Sequence, residues 1–147
     1  MNKWLKIISL WVFAVATNLA ANDQIYTGWL SKKAVSGYDT VAFFTEGQPV
    51  KGNPKFKYSY LDVEWYFASE KHLNLFKQNP QKYMPQYGGF CAWAVAAKKY
   101  RAPGDPKYWK IVDNKLYLNY DRSVQNKWLK DIPGFIKSGD KNWPLMK

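Results

Sequence analysis

The chain has 147 residues, with 22 Lys or Arg against 11 Asp or Glu, a formal net charge of +11 and 18% aromatic side chains. That length suits one domain with a single core. A single cysteine excludes an internal disulfide. Only Arg101 and Arg122 supply the planar fork that reads phosphates and bases, so nucleic acid is not an expected partner.

Residues 1–21 read as a secretory signal peptide. Lys3 and Lys6 give a positive start, Ile7 to Ala16 an apolar run, and Ala20 and Ala21 a small-residue end before the polar Asn22-Asp23-Gln24. The alternative is a retained anchor, since Trp4 to Ala21 spans 18 residues, near the lower limit for a membrane helix. Cleavage predicts a protein that is periplasmic or extracellular. Without Lys3 and Lys6 the chain keeps 20 basic against 11 acidic groups. The lysines are spread along it, as on a solvated surface, and only Lys98, Lys99 and Arg101 form a short basic patch.

Residues 22–33 form a lead-in with few structural signals, and residues 34–147 form the domain. Gly37-Tyr38-Asp39-Thr40 is a turn in which Asp39 caps one helical turn, Val41 to Phe44. Phe56, Tyr58 and Tyr60 alternate with polar residues as a half-buried strand does. With Trp65-Tyr66-Phe67 they make a hairpin. Ser69 caps a helix from Glu70 to about Gln78, which Pro80 stops, and Pro80 to Pro85 is a turn. Phe90 to Ala97 is a buried strand or a buried helical turn. Trp109 to Val112 and Leu116 to Tyr120 flank Asp113-Asn114 as a second hairpin. Ser123 to Lys130 is a helix broken by Pro133-Gly134, before a last helix around Phe135 and Ile136. The order lacks βαβ alternation, so the fold class is α+β, a single compact domain with two β-hairpins and several short helices. No internal repeat is apparent. Phe56, Tyr58, Trp65, Phe67, Leu73, Phe76, Ile111, Leu116 and Leu118 are expected to share one core.

The segments Ala34 to Phe44, Tyr66-Phe67-Ala68-Ser69, Phe76, Asn79-Pro80, Lys82-Tyr83 and Gln86 to Ala92 together resemble the YHS-domain family. With Lys115 to Asn119 and Trp143-Pro144 they are similar to its small exported bacterial members, some of them selenoproteins. The resemblance implies heavy-metal handling, since many YHS domains carry cysteines before the first hairpin and at the helix start. Here those positions hold Ala42, Ala68 and His72, so the usual thiolates are missing.

Cys91 follows Tyr87-Gly88-Gly89-Phe90 and has four readings: a packing residue, a free thiol, a metal ligand, or half of an intermolecular bond. The glycines leave space for a partner, and Lys98, Lys99 and Arg101 would lower the thiol pKa if folded nearby. His72, the only histidine, and Met84 would complete a soft donor set with Cys91, suited to copper or zinc. No phosphate loop, paired metal motif or CxxC is present, so no enzymatic constellation is assembled. Two functions follow. One is an exported metal- or redox-linked binding protein using the lone thiol, with a metal ion or thiol partner. The other is a non-catalytic module that meets an anionic or glycan partner through its lysine- and aromatic-rich surface.

Overall fold

Capping side chains and left-handed turns set the element boundaries. The computed structural model describes residues 21–146, so the expected signal peptide lies outside the described residues except for Ala21. Asp39 Oδ1 accepts from the N–H groups of Val41 and Ala42 at 2.9 and 3.1 Å and starts α1 (Thr40–Thr45). The strands β1 (Asn53–Tyr60) and β2 (Val63–Phe67) pair antiparallel around Leu61-Asp62, which has φ of 54° and 58°. Two central residues with positive φ match the right-handed twist of a hairpin. Ser69 caps α2 (Glu70–Gln78), as its position predicted. Pro80 to Tyr83, expected as a turn, forms α3 (Pro80–Tyr83). Asn79 caps it, and a proline at the first helical position already holds the required φ.

The second half continues with α4 (Ala92–Lys98), β3 (Asp105–Val112), β4 (Lys115–Asn119), α5 (Arg122–Leu129) and α6 (Ile132–Asn142). The ambiguous Phe90–Ala97 stretch is therefore helical from Ala92 on, with Phe90 and Cys91 in isolated bridges before it. Pro133-Gly134 does not break a helix but sits in the first turn of α6, where Asp131 Oδ1 accepts from the Gly134 N–H. A side chain at Gly134 would run into the Asp131 carboxylate, so the glycine makes room for the cap.

The expectation of no repeat is corrected by the structure. Features of the first half recur 52 residues later without insertion or deletion (39 to 91, 50 to 102). Val35, Ser36 and Gly37, with φ of 54°, 54° and 79°, are matched by Tyr87, Gly88 and Gly89 at 55°, 63° and 86°. The turn Leu61-Asp62 is matched by Asp113-Asn114. The bridge of Tyr38 to Lys51 recurs as Phe90 to Pro103, and that of Lys33 to Glu64 as Pro85 to Leu116. The Asp39 N–H donates to Val50 O at 2.8 Å, and the Cys91 N–H to Ala102 O at 2.9 Å. Even the helix caps repeat: Ser69 and Asp121 accept from the N–H groups of His72 and Val124, Asn79 and Asp131 from those of Lys82 and Gly134. The chain is two copies of one turn–helix–hairpin–helix unit.

All nine expected core residues belong to one cluster, either buried in it or packed against it. Phe76 is its centre, with ring centroids 4.9 Å from Trp65 and 5.0 Å from Phe67. Burying such a ring contributes about 1.5–3 kcal/mol. The expectation of a single core is incomplete. A second cluster joins Tyr87, Ala92, Val95, Tyr117 and Trp128, and Trp128 occupies in α5 the place Phe76 has in α2. Among the described residues no helix is long and apolar enough to cross a membrane.

Candidate functional site

Each unit places one polar side chain at the mouth of its first helix, and the two units use different chemistry there. In the first unit the residue is Asp39, which is fully buried. Besides the two α1 contacts, its Oδ2 accepts from the Ala68 N–H at 2.8 Å, and His72 Nδ1 donates to the same oxygen at 2.6 Å. His72 Nε2 lies 3.2 Å from the Thr45 hydroxyl, which in turn donates to Val41 O. The carboxylate therefore ties α1, the end of β2 and α2 together through four donors. A buried carboxylate survives only when so satisfied.

Cys91 stands at the corresponding position of the second unit. Its thiol is also fully buried, but its neighbours are not all apolar. The backbone N–H groups of Ala94, Tyr120 and Trp93 favour its ionised form; they are the counterparts of the Ala42, Ala68 and Val41 donors on Asp39. Asn119, itself buried, approaches from β4. Its Oδ1 accepts from the Trp93 N–H at 3.1 Å and from the thiol, with the sulfur 3.6 Å away. Where the first unit has His72, the second has Val124, and where it has Phe67, the second has Asn119. The Asn119 Nδ2 donor has no hydrogen-bond partner although it is buried, an arrangement that costs about 1–3 kcal/mol. Desolvation pushes the Cys91 thiol up, ahead of the opposing backbone N–H groups, and Asp121 adds to the rise.

The other predicted site residues are held elsewhere. Neither ring nitrogen of His72 is free as a ligand, since one faces Asp39 and the other Thr45. Met84 packs into the first core cluster. Among the described residues no group of three or more His, Cys, Asp or Glu side chains is placed to hold a metal ion. Ala42 and Ala68, where the resemblance would place thiolates, offer no donor atoms, so the residues present do not fit the metal site that the resemblance implies.

Two local expectations are corrected. The space beside Gly88 is filled by the protein's own lead-in: the Tyr26 N–H donates to Gly88 O at 2.9 Å, and a side chain on Gly88 would collide with the Gln24 carbonyl. The basic group does not lower the Cys91 pKa. Arg101 stacks on Phe90 and Trp143 and donates to the Asp23 and Met146 carbonyls, while Lys98 lies over Trp93. Arg101 thus clasps the two ends of the described chain. Sequence reasoning missed Asp39 as a buried hub and Asn119 altogether. The signal for the latter was the repeated pair Asn53-Pro54-Lys55-Phe56 and Asp105-Pro106-Lys107-Tyr108, which sets the two halves in register.

A family model described as YHS domain matches residues 41–87, so a YHS domain is present there. The match runs from Val41 in α1 to the turn at Tyr87, so it leaves out the first unit's left-handed turn and Asp39 and takes in the start of the second unit. No curated protein and no solved structure gives a match.

Proposed function

We propose that this chain is an exported YHS-domain protein whose thiol at Cys91 gives it a redox-linked binding function. The observation that carries the reading is the exchange of Asp39 for Cys91 between two units of matching backbone, which puts a thiol where the first unit's backbone donors hold an anion. A thiol kept only for packing has no use for such surroundings, since an apolar neighbourhood serves a small hydrophobe better. The apolar run of residues 7–16 and the small Ala20-Ala21 that follows support export. Shared metal ligation by Cys91, His72 and Met84 is not part of the reading, because two of the three side chains are engaged elsewhere.

The test is thiol labelling of the folded protein over a range of low urea concentrations, with and without copper or zinc. A reactive site labels through local opening, at a rate that depends little on urea and exceeds the rate of global unfolding. Labelling that occurs only when the whole chain unfolds would sink the reading. Protection by metal would restore a ligand role for the thiol alone. Intact mass of protein from fractionated cells tests export; a full-length species confined to the membrane fraction would show a retained anchor.

A further inference from the structure

Three of the four donors around Asp39 have counterparts at the matching positions around Cys91. In the first unit the donors are the N–H groups of Val41, Ala42 and Ala68, and His72 Nδ1. In the second they are the N–H groups of Trp93, Ala94 and Tyr120; the imidazole is missing, and the amide of Asn119, whose Nδ2 has no partner, meets the sulfur through Oδ1 instead. The reduced thiol uses this set poorly. Sulfur is a weak acceptor, and the Trp93 N–H turns instead to Asn119 Oδ1. Asn119 thereby supplies the oxygen that Asp39 supplies for itself, and its own donor is left stranded in the interior.

We infer that Cys91 is an oxidation site whose sulfinate product is held in the place a carboxylate holds in the first unit, with Asn119 as the residue that closes the cage. A sulfinate on a single methylene matches an aspartate side chain in charge and in its pair of acceptor oxygens, though it is pyramidal at sulfur where the carboxylate is planar. The inference rests on the proposed thiol function and names its chemistry. Hydrogen peroxide is the oxidant. The sulfur attacks one peroxide oxygen, an S–O bond forms as the O–O bond breaks, and the departing hydroxide takes the thiol proton and leaves as water. Sulfur has then lost two electrons and is a sulfenic acid. A second equivalent repeats the step to the sulfinic acid, which releases its proton to solvent. The new oxygens accept the Trp93, Ala94 and Tyr120 N–H groups directly. The Asn119 amide, no longer needed by Trp93, turns over and presents Nδ2 to the anion.

Hydrogen peroxide on the purified protein, followed by intact mass, peptide mapping and thermal melting, tests this. The expected product carries two added oxygens on Cys91 and melts at or above the temperature of the reduced protein. Asn119→Leu still reacts at Cys91 but loses that stabilisation. A mimic avoids the reaction altogether: Cys91→Asp is expected to fold and to melt higher than its neutral isostere Cys91→Asn. If Cys91→Asn melts higher than Cys91→Asp, or if the oxidised protein unfolds or runs on to three oxygens, the oxyanion cage is wrong while a reactive thiol survives. A folded chain that takes no oxygen and no label at Cys91 overturns the thiol function itself.

Discussion

Asp39→Ala is the sharpest probe of the scaffold. The substitution removes the acceptor for the Val41 and Ala42 N–H groups, which is the N-cap of α1 and is worth about 0.5–2 kcal/mol. It also strands the Ala68 N–H and leaves His72 without its carboxylate, and a buried donor without a partner costs about 1–3 kcal/mol. The α1 donors regain water at a frayed helix end more easily than Ala68 and His72 do, so the sum falls at roughly 4 kcal/mol. That is a large share of the ~5–15 kcal/mol available to a domain. Urea unfolding followed by tryptophan fluorescence reads it. With a slope of about 2 kcal/mol per M, the midpoint drops by roughly 2 M. Asp39→Asn keeps one oxygen for the cap and is expected to lose about half as much. In the double-mutant cycle with His72→Ala, the pair should show a coupling of at least ~1 kcal/mol. A loss below about 1 kcal/mol for Asp39→Ala would refute the idea that one buried carboxylate ties three elements together.

Three further outcomes are expected. Gly88→Ala combines φ of 63° with a collision against the Gln24 carbonyl, so it should release the lead-in, cost about 2 kcal/mol or more and expose the segment near Tyr26 to limited proteolysis. Arg101→Ala should loosen both ends while leaving the two cores intact, seen as faster amide exchange around residues 21–26 and 143–146 with a change in melting temperature of only a few degrees. Stability should also fall in alkali. Burial, aided by the Asp140 and Asp113 carboxylates, pushes Tyr117 from its ordinary 10.0 up to about 12. Burial and the hydrogen bond to Asp140 push Tyr87 higher still, and burial raises Cys91. The unfolded chain releases these protons first, so their stabilisation is whole while the unfolded thiol is still protonated, below about pH 8, and is lost progressively above it. Tyr117→Phe should flatten that decline in a pH series of urea midpoints; an unchanged slope would show that Tyr117 is not protected.

Local chemistry along the chain places the elements and much of the first core. The helix caps of Asp39 and Ser69 and the turn at Asp113-Asn114 rest on contacts within a few residues, so capping and turn chemistry place them without tertiary information. Alternation along β1 and helical spacing in α2 likewise picked out the inner faces that meet at Phe76. What the polar residues do depends on partners that folding brings from far along the chain. His72 is spoken for by an aspartate 33 positions away, and Cys91 by an asparagine 28 positions away. The repeat was also hidden until the backbone was seen, because few side chains survive between the halves while the left-handed turns and bridges persist. Backbone geometry tolerates many sequences that bury similar volumes, so φ values and hydrogen bonds keep a register that residue identities have lost. Which unit carries a carboxylate and which a thiol is written in the sequence; that the two occupy the same cage is visible only when the halves are folded.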